Sequence, residues 1–203
     1  MKKWIFDSRL IIGFLLAHLL MFFTFENRAV FWYMFTAAML ILISYSILNE
    51  EVDDQQSVGS YLLYGLLSGF VLFAVFWAGN FLIDLLNLPF SKGVAKLYNR
   101  LAPAQLWHYI VLILVIIPGE EIFWRGFIQK RLEKYVPATA SIVLAAVMYT
   151  SVHFYAGYMV LPIAALFGGL FWGFLYWWKR SIPLVIVSHL VFDLFLFVFI
   201  PLY

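Results

Sequence analysis

Apolar stretches long enough to cross a bilayer, separated by short polar turns, fill this chain and leave few folds open to it. A spanning helix takes about 20 residues, and inside lipid a helix satisfies its own backbone hydrogen bonds. Each stretch therefore reads as one span. Composition agrees, because 65% of the 203 residues are hydrophobic and only 12% are charged. A soluble domain carries roughly a quarter charged residues. So little charge cannot cover a water-facing surface, and lipid must be part of the solvent. The expected fold is all-α, a polytopic transmembrane bundle forming a single integral membrane domain over residues 1–203. It has no room for a sizeable soluble domain. A net charge of +2 without a basic run gives no nucleic-acid footprint. The absence of cysteine excludes disulfides, thiol catalysis and Cys-ligated metal.

Met1-Lys2-Lys3 followed by an apolar run has the look of a signal peptide. Phe22, Phe23, Phe25, Glu26 and Asn27 stand where small residues would mark cleavage, so the run reads as an uncleaved first span over 9–25. A second span covers 29–48. An acidic loop with Glu50, Glu51, Asp53 and Asp54 leads to a third at 60–86. In 88–103, Phe90, Val94, Leu97, Tyr98 and Leu101 recur at helical spacing, opposite Lys92, Lys96, Asn99 and Arg100. With Ser91 as candidate N-cap, this is an amphipathic helix on the membrane surface, and a packed connecting helix fits the spacing equally. The fourth span, 105–130, holds Pro118-Gly119 at its middle, which should kink it. The fifth covers 137–157, the sixth 160–178, and the seventh begins at 182, giving seven spans.

Lys and Arg in short loops set orientation. With the N-terminus inside, Lys2, Lys3, Arg9, Lys130, Arg131, Lys134, Lys179 and Arg180 gather at the cytoplasmic ends. Arg28, Lys92, Lys96 and Arg100 lie outside. Eight against four places the N-terminus in the cytoplasm and the C-terminus outside. The expected location is a cell membrane, of the bacterial plasma-membrane type.

Ionisable groups inside a span cost about 2.5–3.5 kcal/mol at its centre even on lenient scales, so they face the bundle interior and find partners. Spans four, five and seven carry Glu120, Glu121, Arg125, His153, His189 and Asp193, whereas the first two carry His18. At 1.5 Å per residue, Glu120 lies about 15 Å deep, His189 about 12 Å, Asp193 about 18 Å and His153 about 24 Å. Three spans thus bring polar groups to one broad layer. Glu121 and Arg125 share a helix face at i,i+4, where an ion pair offsets their burial. Glu120 points about 100° away. His189 and Asp193 also share a face. A buried Glu can act as general base, a His can share the activated water or protonate the leaving amine, and a second His can stabilise an oxyanion. Glu120, His153 and His189 supply these parts. Ser151 and Ser188 adjoin histidines in sequence but point elsewhere on their helices.

Glu120-Glu121-Ile122-Phe123-Trp124-Arg125 is similar to the EExxxR motif of the CPBP family, which includes the CAAX prenyl endopeptidases of type II. Tyr149-Thr150-Ser151-Val152-His153 resembles its FxxxH motif with Tyr for Phe. His189-Leu190-Val191-Phe192-Asp193 resembles HxxxN with Asp for Asn. The resemblance covers 105–196 as a catalytic core, while 1–104 carries no family signature. It implies a membrane-embedded endopeptidase whose cavity opens toward the cytosol. Glu120 and His153 would activate water, His189 and Asp193 would form the oxyanion site, and Glu121 and Arg125 would hold the architecture. Prokaryotic members include bacteriocin-processing and immunity proteins, and prenylated substrates belong to the eukaryotic branch. Tyr149 adds a hydroxyl that needs a partner. Ionised Asp193 has no N–H to offer, so either it is protonated, or it keeps His189 cationic as the donor, which is the favoured expectation, or the oxyanion site is impaired.

The expected reaction is hydrolysis of a peptide bond in a membrane-associated or lipidated peptide, reached from the membrane or the cytosol, with no cofactor. Two His and a Glu also make a zinc set, Glu120, His153 and His189, although HExxH is absent. A non-catalytic peptide-binding, immunity or scaffold protein predicts that Glu120→Ala keeps function, and a proton-linked transporter predicts pH-coupled flux. Outside the constellation, His18 is expected to bond within its own span, His108 to sit in an aromatic belt and Asp84 to be solvated. The Phe and Trp residues read as lipid-facing bulk. Gly168, Gly169 and Gly173 read as close helix packing.

Overall fold

The computed structural model describes residues 7–202. Lys2 and Lys3, counted for orientation, lie outside them. The fold is all-α, with seven helices long and apolar enough to cross a membrane. Helix α1 is Ser8–Glu26, α2 Phe31–Asn49 and α3 Val58–Leu85. The short α4, Ser91–Leu101, crosses between spans. Then come α5 Leu106–Leu132, α6 Ala138–His153, α7 Val160–Lys179 and α8 Ile182–Phe199. Each span stops within a few residues of the polar interruptions that delimit it in the sequence.

The spans alternate in direction. The start of α1, the α2–α3 loop, the end of α5 and the α7–α8 turn therefore meet at one end of the bundle. There the acidic loop folds onto the basic ends of the later spans. Arg131 Nε and NH2 donate to Asp7 at 2.9 and 3.0 Å, and Arg131 and Lys134 share Glu50. Lys130 donates to Asp53, whose other oxygen accepts the Tyr176 hydroxyl at 2.6 Å. Arg180 pairs with Glu133, and Ser181 donates to Asp54 at 2.8 Å. Backbone bonds from Gln55 to Arg180 and from Ile182 to Asp53 stitch the two loops together. Burial alone would raise the Asp7 carboxyl. The bonds from Arg131, Tyr135 and the Leu10 amide outweigh it and hold Asp7 below the ordinary carboxylate range. Asp53 is held low in the same way, burial being outweighed by Lys130 and Tyr176.

Small residues set the helix approaches that build the site. Gly69 on α3 lies against the Ser188 carbonyl and Val191, and Gly65 lies against Val187, so α3 runs alongside α8. Gly169 lies against Ala146 and Tyr149, and Gly173 against Gln129 and Ile142, drawing α7 onto α6 and α5. This is the close packing expected of the α7 glycines. Two apolar cores result, one among α1, α2, α5 and α6, the other among α3, α7 and α8. The polar groups of the later spans fall at the seam between them.

Helix α5 widens into π-helical turns at Leu112–Ile116 and Ile122–Gln129, on both sides of Pro118. A proline lacks the N–H that an α-turn requires, and a wider turn redistributes the freed carbonyls. Such turns recur at functional sites, and Glu120 and Glu121 lie between these two.

Candidate active site

Glu120, Glu121, Arg125, His153, His189 and Asp193 are all buried and converge from α5, α6 and α8. His153, the least comfortable of them by depth, is among them. The Glu121 carboxylate makes the predicted i,i+4 pair with Arg125 NH1 at 3.1 Å. The guanidinium lies between two rings, 5.0 Å from the Tyr149 centroid and 5.5 Å from Trp172. A buried charge is thereby partnered by a carboxylate and two aromatic faces.

The same carboxylate does a second job that sequence reasoning missed. Glu121 Oε1 lies 2.7 Å from His189 Nδ1, joining residues 68 positions apart. A carboxylate paired to arginine accepts, so Nδ1 carries the proton and Nε2 faces the cavity. The Asp193 oxygen is farther, 3.8 Å from Nε2. The tautomer of His189 is therefore set by Glu121, while the Asp193 carboxylate stands near its other ring nitrogen. Trp172 stacks on the imidazole at 3.8 Å between centroids, and its indole N–H donates to Ser188 at 3.3 Å. Ser188 in turn accepts from Ser68 of α3 at 3.0 Å.

His153 Nδ1 lies 2.8 Å from the Tyr149 carbonyl one turn back. A carbonyl only accepts, so this nitrogen is also protonated and Nε2 is free of that bond. Glu120 stands between the two histidines, with His153 Nε2 3.9 Å from Oε1 and His189 Nε2 3.9 Å from Oε2. The Tyr149 hydroxyl finds its partner here, donating to Glu120 Oε2 at 3.2 Å. At 3.9 Å the imidazoles do not bond the carboxylate directly, and a single water-sized oxygen can bridge such a separation.

A cavity of about 440 Å3 reaches this floor. Phe25, Phe31, Phe76, Leu97 and Trp172 are among its walls, with Asn80 as an added polar group. Its residues on α1 and α3 come from the last turns of those helices, those on α2 from the first, and those on α7 from Val160 down to Trp172 at the floor. The cavity therefore lies at the end of the bundle opposite the ion-paired loops. No lining residue falls on α5 beyond Glu120 toward Lys130. A cytosolic mouth, as the resemblance implies, and a cytoplasmic basic end, as the Lys and Arg count implies, cannot both hold for this chain.

Other expectations change as well. Val94, Leu97, Tyr98 and Leu101 of α4 form a wall of the cavity, and the Tyr98 hydroxyl donates to the Leu196 carbonyl at 2.8 Å. The helix is thus packed on the bundle. Ser91 does not cap α4; its hydroxyl donates to Asp84 at 2.8 Å, giving that carboxylate a partner. His18 bonds outside its own span, to Tyr155 at 2.8 Å and Ser151 at 3.1 Å. His108 stacks on Trp32 with Trp107 beside it, as an aromatic-belt residue would. Trp124 and Trp172 are buried, not lipid-facing. Trp172 could have been placed from sequence, since it follows Gly168 by one turn on the small-residue face of its span.

Residues 102–195 match the family model described as Type II CAAX prenyl endopeptidase Rce1-like. This segment contains every residue that converges on Glu120. The second half of the chain is thus similar to the CAAX-protease-like family. No curated protein and no solved structure matches the chain. The CAAX-protease-like segment thus supplies the cavity floor, while α1–α4 supply part of its walls.

Proposed function

We propose that this membrane protein is an endopeptidase that hydrolyses a peptide bond of a membrane-associated or lipidated peptide with a water activated by Glu120. One observation carries the reading: the buried Glu120 carboxylate at the floor of an apolar cavity, flanked at 3.9 Å by the Nε2 atoms of both His153 and His189. Glu120 takes a proton from water, and His153 Nε2 orients that water by accepting its second hydrogen. The oxygen attacks the carbonyl carbon. His189, as an imidazolium held by Glu121 and stacked on Trp172, donates from Nε2 to the developing oxyanion beside Asp193. The C–N bond then breaks as the proton held by Glu120 passes to the leaving nitrogen, giving a carboxylic acid and an amine. General-base catalysis of this kind contributes about 10^2–10^4-fold.

The reading is metal-independent. Inhibition by a chelator with rescue by zinc would replace it with the zinc form on Glu120, His153 and His189. The N-terminus is proposed to be cytoplasmic and the C-terminus outside, with the ion-paired end in the cytoplasm. The deciding experiment is a cleavage or complementation assay in cells on wild type, Glu120→Gln, His153→Ala and His189→Ala, with membrane insertion checked for each. Loss in all three inserted variants is expected. Full function in all three would make the protein a binding or immunity factor of the same fold.

A further inference from the structure

Access to Glu120 is one-sided. Above the site residues the cavity runs toward α4, between the far ends of α1, α3, α6 and α8 and the near ends of α2 and α5, with α7 lining it from Val160 down to Trp172. On the other side, Gln129 is fully buried, with its amide donating to the Gly173 carbonyl at 2.9 Å. Beyond it the loops are closed by Lys130–Asp53, Tyr176–Asp53 and the Arg131 cluster. A polypeptide reaching the site from that end would have to break ion pairs and loop hydrogen bonds. From the α4 end it meets apolar walls and one interfacial helix.

The two ends also differ in basic residues. Six Lys and Arg of the described chain lie at the closed end and four at the α4 end, and Lys2 and Lys3 precede Asp7 at the closed end. The richer end faces the cytoplasm. We infer that the cavity is loaded from the extracytoplasmic side, and that its occupant is the apolar segment of a peptide or protein already exported to, or anchored in, the outer leaflet. The inference deepens the hydrolase reading and rests on it for the word substrate. A transport step must then come before cleavage, because the bond to be cut has to reach the far side of the membrane first. The apolar walls fit a hydrophobic segment, and the unpaired amide of Asn80 near the mouth offers both a donor and an acceptor to its backbone.

The chain has no cysteine, so single cysteines report sidedness without background. Asn99→Cys, exposed on α4, and Gln55→Cys, exposed in the closed-end loop, would be treated with a membrane-impermeant maleimide in intact and permeabilised bacterial cells. Asn80→Cys would be treated with a small impermeant thiosulfonate to probe the cavity itself. Labelling of residues 99 and 80 in intact cells, with residue 55 labelled only after permeabilisation, is expected. The reverse pattern, or equal labelling of residues 99 and 55 in intact cells, overturns the inference. Should a variant fail to accumulate, Lys96→Cys and Glu51→Cys read the same two faces. Repeating the set in a Glu120→Gln background separates the two proposals. Orientation does not depend on catalysis, so reversed labelling alongside lost cleavage removes the sidedness and leaves the hydrolase.

Discussion

The closed end and the cavity floor are both built from buried charge, and they differ in how fully it is satisfied. At the closed end Asp7 and Asp53 meet their partners within hydrogen bonds: Asp7 takes Arg131 and Tyr135, and Asp53 takes Lys130 and Tyr176. At the floor, Glu120 has one bond at 3.2 Å, from Tyr149, and two imidazole nitrogens held back at 3.9 Å. Saturated charge fixes loops to one another and leaves nothing to bind. Unsaturated charge costs stability and keeps reach for a third party. The contrast separates structural polar groups from working ones better than burial does, because both sets are buried.

The largest effect should come from the unsaturated set. Glu120→Gln is expected to lower cleavage by about 10^3-fold or more, within the range of a lost general base, while thermal unfolding in detergent stays unchanged or rises. A variant that unfolds and keeps its activity would erase the contrast. The saturated set should answer in the opposite way. Arg131→Ala leaves Asp7 and Glu50 without their partner and should cost about 2 kcal/mol of stability, a usual figure for bonds to charged groups. Cleavage per folded molecule should be kept, and detergent-unfolding and single-turnover measurements read the two separately.

Smaller effects sharpen the comparison within the site. Glu121→Gln should cost more activity than Asp193→Asn, because Glu121 lies 2.7 Å from His189 and Asp193 lies 3.8 Å away. Asp193→Asn falling below Glu121→Gln in the same assay would return the setting of His189 to Asp193. Tyr149→Phe removes one hydrogen bond to the Glu120 carboxylate and should change the rate by about tenfold, given roughly 1.5 kcal/mol for a long bond to a charged group. Acid should act on the closed end last. Asp7 and Asp53 have native pKa values below their ordinary ones, so their stabilisation is complete above about pH 4 and fades as pH falls through the native values. Wild type should therefore lose more unfolding temperature on acidification than Arg131→Ala, in which the Asp7 partner is already gone.

Much of this was legible in the sequence where the signal is local. Span positions follow from polar interruptions, the inward face of α4 from its 3.6-residue period, and the Glu121–Arg125 pair from its i,i+4 spacing. The convergence of Glu120, His153 and His189 followed from depth arithmetic together with the ordered motifs. What escaped were pairings across distant helices. The bonds from Glu121 to His189 and from His18 to α6 depend on helix rotation and neighbour choice, which no local pattern encodes. Hydropathy likewise scores Trp172 as it scores a lipid-facing tryptophan. The position of the mouth escaped for a further reason: it is a property of where seven helices diverge, and no single residue carries it.

The bond from Tyr98 to the Leu196 carbonyl, with the Leu202 amide reaching the same hydroxyl at 3.3 Å, has a practical side for anyone handling the protein. Leu202 itself borders the cavity. A fluorescent fusion or other bulky group attached close to Leu202 would stand beside the cavity, where it can act as a tethered competitor or pry α4 from its seat. Activity measured on such a fusion would report the added group as much as the enzyme, so the group should be cleaved off before assay or attached at the opposite end of the bundle.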